Sequence, residues 1–162
     1  MRILLAIDGS PCSAPAVRAV ATRPWPPGTV VRVVTVVEDV YPAATVSAFE
    51  AGLAIAPPEA TEAQQALWNS GRALVEGVAQ ELEQSGLRTE VVERRGTPAT
   101  TIVDEARDWG ADLILVGSHG RTGLKRVLMG SVAERVVSRA PCSVEVVRRH
   151  EEQARAGVTP SG

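Results

Sequence analysis

The chain has 162 residues and a net charge of −2 at neutral pH, with 44% hydrophobic and 22% charged residues. A length within about 100–200 residues suggests one domain with room for a real core, and the slightly acidic balance, with an isoelectric point near 5.7, argues against a broad nucleic-acid surface. Aromatic residues are only 3% of the chain, so the core is expected to be aliphatic.

The N-terminal MRILLAIDGS is a short apolar run broken by Asp8. It lacks the apolar length of a secretion signal, no later run is long enough to cross a membrane, and the expected location is the cytoplasm. Ile3 to Ile7 reads as the first strand. SPCSAPAVRAVATR follows, where Ser10 or Ser13 can cap a helix and Pro11 or Pro15 suits its first turn. PWPPG at 24–28 stops that helix. Cys12 and Cys142 have no metal or CxxC spacing, so they read as free thiols; a redox role for Cys12, near a helix start, is the alternative.

Val30 to Val37, VVRVVTVV, is nearly continuous valine, as expected of a strand buried on both faces. Residues 39–60 are rich in Ala and Pro with no steady period and read as a long loop with one short helical turn. Thr61 to Gln84 is the longest helical segment, with Leu67, Gly71, Leu74, Val78 and Leu82 on one face. Gly71 and Gly77 weaken it and Gly86 can end it. LRTEVVERR is a third strand, less apolar and therefore nearer an edge. Thr97 caps and Pro98 opens the next helix, which stops at Gly110. Asp112 to Val116 is a fourth strand, Ser131 to Arg139 a fourth helix with a Ser131–Glu134 capping box, and SVEVVRR a fifth strand. Residues 149–162 read as a frayed tail beyond a single domain of residues 1–148.

Strands that alternate with helices predict an open parallel sheet with helices on both faces. Ligands of such sheets bind beyond the carboxyl ends of the strands. Those ends are Asp8-Gly9-Ser10, Val36-Val37-Glu38, Gly96-Thr97-Pro98 and Gly117-Ser118-His119-Gly120. Neither G-x-G-x-x-G after a strand nor G-x-x-x-x-G-K-[ST] is present, and Asp8 in the first turn would repel a phosphate. The glycines after the fourth strand are better placed. In GSHGRTGLKRVLMGS, Gly117 and Gly120 allow close approach of backbone amides to an anion and allow positive φ. Gly130-Ser131 opens a helix, whose first amides attract phosphate. Arg121, Lys125 and Arg126 add positive charge. The plainer reading is that these glycines only turn the chain. Asp8 can accept from a ribose hydroxyl or a base amine, or it can cap the first helix. Val36 is a candidate apolar wall for a base, or an ordinary core valine.

Together these residues resemble the universal stress protein family, in its ATP-binding branch. The family's spaced motif is matched at Gly117, Gly120, Gly130 and Ser131, with SH and RTGLKRVLM as spacers. ILLAIDGS resembles the family's first strand and VRVVTVVE its second, and Gly96-Thr97-Pro98 supplies its G-x-P. The resemblance covers about residues 2–148; the 39–60 loop varies across the family. It implies a five-stranded parallel sheet in the order 3-2-1-4-5, a Rossmann-like arrangement of the adenine nucleotide alpha-hydrolase-like kind. It also implies ATP, with Mg2+ or Mn2+ at the phosphates, bound by Asp8, Val36, Gly117, Gly120, Gly130, Ser131 and Val132. Gly96, Ser118, His119 and Arg121 lie in the same motifs and complete the expected site. A homodimer through the C-terminal strand is implied as well, in keeping with an apolar sheet edge that invites pairing.

The expected function is that of a nucleotide-dependent stress or regulatory protein, its signal read by an unidentified protein partner. The alternative is a slow ATP hydrolase or phosphotransferase. No Walker B aspartate or kinase catalytic set is visible, although His119 can orient a water. Nucleic-acid binding through Arg94, Arg95, Arg121, Lys125 and Arg126 is the weakest option, given the charge balance and few aromatics.

Overall fold

Two apolar runs, Arg2–Ala6 (β1) and the valine-rich Val30–Val37 (β2), lie side by side in parallel, with Ala6 in register with Val34. The chain is described here by a computed structural model covering residues 1–38, 51–52, 62–118 and 129–148. Its further elements are helix α1 (Ala14–Thr22), α2 (Glu62–Gln84), strand β3 (Arg88–Arg95), α3 (Pro98–Trp109), β4 (Leu113–Gly117), α4 (Ser131–Arg139) and β5 (Ser143–Val147). The described strands form one parallel sheet in the order β3-β2-β1-β4-β5, as the resemblance implies. β3, read as the polar strand, is indeed an edge.

Strand side chains alternate between faces, and the two faces bury different sets. Ile3, Leu5, Ile7, Val31, Val33 and Leu115 pack with Val17, Val20, Val75 and Leu82 of α1 and α2. Leu4, Ala6, Val34, Ile114 and Val116 pack with Ile102, Val103, Ala106, Ala133 and Val136 of α3 and α4. Each helix therefore shows one apolar stripe to the sheet. The α2 and α3 stops are built as their sequence suggests. Gly86 and Gly110 take φ of 83° and 69°, and the amides after them reach back to Leu82 and Ala106 at 3.1 and 2.9 Å.

Several local expectations are corrected. Ser13 and Thr97 stand at the N-cap positions of α1 and α3, but neither side chain makes a cap hydrogen bond; the Ser13 hydroxyl donates to the carbonyl of Ser10 at 2.9 Å instead. Gly71, expected to weaken α2, is buried where a Cβ would come within 3.1–3.3 Å of Glu93, Val37 and Thr35. Its lack of a side chain lets α2 lie close on β2 and β3. The described helices include none long and apolar enough to cross a membrane. The loop expected at 39–60 and the tail at 149–162 fall outside the described residues, save Ala51 and Gly52.

Candidate functional site

The carboxyl ends of β1, β2, β3 and β4 reach one level. Ala6 is in register with Val34 on one side and Val116 on the other, so two residues further on lie Asp8, Val36 and Ser118. Val37 is in register with Arg95, and the next amide, Gly96, donates to the Val37 carbonyl at 3.2 Å. Val36 packs at the margin of the core under α3 and α4 and is only half-buried. Ile7 belongs to the opposite face, so the alternation brings Asp8 to the side of Val36.

Asp8 does not cap a helix, because α1 begins at Ala14. One carboxylate oxygen accepts from the Ser10 amide at 3.0 Å and closes the turn after β1. The turn also holds Gly9 at φ 73°.

Ser118 joins three elements through its backbone. Its amide donates to Val147 at the end of β5 at 3.0 Å, and its carbonyl accepts from Gly130 at the start of α4 at 2.8 Å. The two ends of the glycine-rich stretch are thereby drawn together. Ser118 is 4% exposed, so the junction is buried at this residue.

Gly130, not Ser131, is the N-cap of α4, with φ −62° and ψ 148°. Ser131 is the first helical residue and Glu134 is one place too far along for a capping box, which requires the acidic residue three positions after the cap. With glycine at the cap, no side chain spans the first turn. The exposed Ser131 hydroxyl is free of the capping role assigned to it, and the main-chain amides of the first turn face the helix start, where the helix dipole favours an anion. Val132 contributes its side chain to the core beside Met129, so what it offers at the helix start is its backbone.

Gly117 is also placed differently from expectation. Its backbone is not among those with positive φ. A Cβ there would collide with the carbonyl oxygen of Cys12 and come within 2.9 Å of its carbonyl carbon. The close approach is to the loop before α1, not to a ligand. Gly96 does take positive φ, 134°, and a Cβ there would lie 2.9 Å from the Thr101 hydroxyl. His119, Gly120, Arg121, Lys125 and Arg126 lie outside the described residues.

Cys12 and Cys142 are free thiols, and burial, helped by Asp112, pushes the Cys142 thiol above its ordinary range, which disfavours the reactive thiolate. No group of three or more His, Cys, Asp or Glu side chains among the described residues is arranged to hold a metal ion. Sequence reading missed an ion network on the same face, which runs from Arg32 near the start of β2 to Arg94, in register with Val36. Glu105, 6% exposed, accepts from Arg32 at 2.7 Å and from Arg94 at 2.8 Å. The Arg32 guanidinium also lies over the Trp109 ring at 4.4 Å. The single arginine inside VVRVVTVV was its one visible signal.

A family model described as "Universal stress protein family" matches residues 1–148. Universal stress protein YxiE of Bacillus subtilis is 28% identical over 148 residues, which are 91% of this chain and 98% of that one. Universal stress protein MJ0577 of Methanocaldococcus jannaschii is 38% identical over 88 residues, 54% of each chain, so that match spans about half of the relative. The solved structure of MJ0577 superposes with a TM-score of 0.74 at 29% identity, covering 93% of this chain and 96% of that one. A universal stress protein family structure from Arabidopsis thaliana with AMP bound shares the fold, with a TM-score of 0.64 at 17% identity over 97% of both chains.

Proposed function

The chain belongs to the universal stress protein family, and on that premise we propose that it binds an adenine nucleotide, ATP foremost, at the carboxyl ends of β1, β2 and β4. The observation that carries the reading is the Gly130–Ser118 hydrogen bond of 2.8 Å. It fixes an uncapped helix start beside the strand ends that bear Asp8 and Val36, and an uncapped helix start attracts phosphate.

Each residue then has a distinct task. The first-turn amides of α4, including that of Val132, and the Ser131 hydroxyl donate to phosphate oxygens. Gly130 keeps the approach open, since a side chain there would stand between phosphate and amides. Asp8 accepts from a ribose hydroxyl, and its negative charge keeps the phosphates toward the α4 side. Val36 gives the base an apolar surface. The Gly117 and Ser118 backbone holds the junction together, and Gly96 shapes the far end at β3. His119, Gly120 and Arg121 belong to the segment between the two ends and complete the phosphate side. Mg2+ or Mn2+ would be carried mainly by phosphate oxygens and water, as such ions are when few carboxylates converge. The Arabidopsis structure with AMP bound demonstrates that this fold accommodates an adenine nucleotide in that protein.

On this reading the protein is a nucleotide-dependent regulator. It works in the cytoplasm as a homodimer paired through β5, and a separate protein reads its nucleotide state. Identification of the nucleotide released by denaturing the purified protein tests the reading. Release of ATP, ADP or AMP supports it. A protein that purifies empty and also fails to bind ATP in titration overturns it.

A further inference from the structure

A concavity lies on the α1 and α2 side of the sheet, between these two helices. It is a cleft of about 320 Å3, at the low end of the roughly 300–1,000 Å3 usual for small-molecule sites. Ile7 and Val17 line it with Leu74 and Val78 from α2. Gly9 brings the turn after β1 against that helix: a Cβ there would sit 3.3 Å from Leu74. The charged side chains of the lining, Arg18 and Glu81, are exposed and opposite in sign, so the lining carries no net charge.

Ser10 also lines the cleft. It is 7% exposed, and its hydroxyl is buried with no hydrogen-bond partner among the described residues. Neighbouring Ser13 has spent its own hydroxyl on the Ser10 carbonyl. A buried hydroxyl without a protein partner calls for an explanation. Serine side chains turn between staggered wells, and a ligand acceptor in the cleft that the hydroxyl reached would satisfy it.

We propose that this cleft is a second binding site, for a small, uncharged, largely apolar molecule that presents one hydrogen-bond acceptor to Ser10. The site stands apart from the nucleotide reading, which can fail without affecting it.

The test uses acetophenone and its near-isostere cumene, in which a methyl group replaces the carbonyl oxygen. Both are titrated into the isotopically labelled full chain by NMR. Saturable shifts of the Val17, Leu74 and Val78 methyl groups are expected with acetophenone, and the acetophenone-to-cumene affinity ratio should be about three- to tenfold higher in the parent than in Ser10→Ala, the worth of one hydrogen bond. Ala14→Phe, at an exposed position on the cleft wall, should fill the cleft and remove binding of both probes without changing distant resonances. The proposal is overturned if neither probe shifts these methyls saturably, if the acetophenone-to-cumene affinity ratio is the same in Ser10→Ala as in the parent, or if Ala14→Phe leaves binding intact.

Discussion

The amide of Gly130 donates to the carbonyl of Ser118 across 2.8 Å, and through this bond the end of β4 and the start of α4 form one junction. The two described ends of the glycine-rich stretch, Ser118 and Gly130, are thus held one hydrogen bond apart. On the proposed nucleotide reading, the cap of α4 has a binding role as well as a helical one.

Gly130→Asp separates these two roles. The φ and ψ of Gly130 suit any residue, and Asp is a better N-cap than Gly by a few tenths of a kcal/mol. Thermal stability should therefore be unchanged or slightly raised. Nucleotide binding should fall below detection, because the new carboxylate takes the first-turn amides and repels phosphate. Calorimetric titration beside a thermal melt checks both; retained affinity would place the phosphates elsewhere.

Gly117→Ala should act in the opposite way, through stability. The new Cβ collides with the Cys12 backbone, which cannot yield as a flexible side chain would. Overpacking of this kind costs about 1–3 kcal/mol, to be read as a lower urea midpoint. An unchanged midpoint would show that the loop at Cys12 gives way easily.

Asp8→Asn keeps an oxygen to accept from the Ser10 amide but loses the charge. The turn should survive, with a thermal midpoint close to the parent's. Hydrogen bonds to charged groups contribute about 1.5–3 kcal/mol against about 1 for neutral ones, so ATP affinity should drop by roughly tenfold. Equal affinity would remove Asp8 from the site.

Glu93 offers a pH test of the packing of α2 on β3. Burial raises its carboxyl above the ordinary value, against a lowering influence from Arg72 and with a further raising one from Glu76; one oxygen is buried without a partner among the described residues. The folded protein thus holds this proton to higher pH than the unfolded chain. Its stability contribution is complete below the unfolded carboxyl's pKa, about 4.3, and is lost as pH rises through the folded value. Glu93→Gln should accordingly be more stable than the parent at pH 7, with the gap closing toward pH ~4. Glu145 runs the other way, since the hydrogen bond from Arg23 lowers its pKa, but it is common to both proteins and cancels. A gap independent of pH in urea melts would contradict the account.

The strands were legible because valine runs and glycine stops are local signals. Val30–Val37 is found with the bounds read from sequence, and the others shift by a residue or two. The order of the strands came from the family motif, since periodicity alone does not order parallel strands. What stayed hidden is long-range. Gly117 meets Cys12 across more than a hundred residues, and Glu105 reaches Arg32 across 73. Gly71 looked like a flaw in a helix until Glu93 and Val37 were seen against it. The capping box was misread by one position because S-x-x-E fits equally well when glycine takes the cap.

The central claim is most directly tested by titrating ATP into nucleotide-stripped protein and reading stoichiometry. The account predicts one saturable site per chain, lost in Gly130→Asp. No saturable binding by the parent, or binding undiminished in the variant, would contradict it.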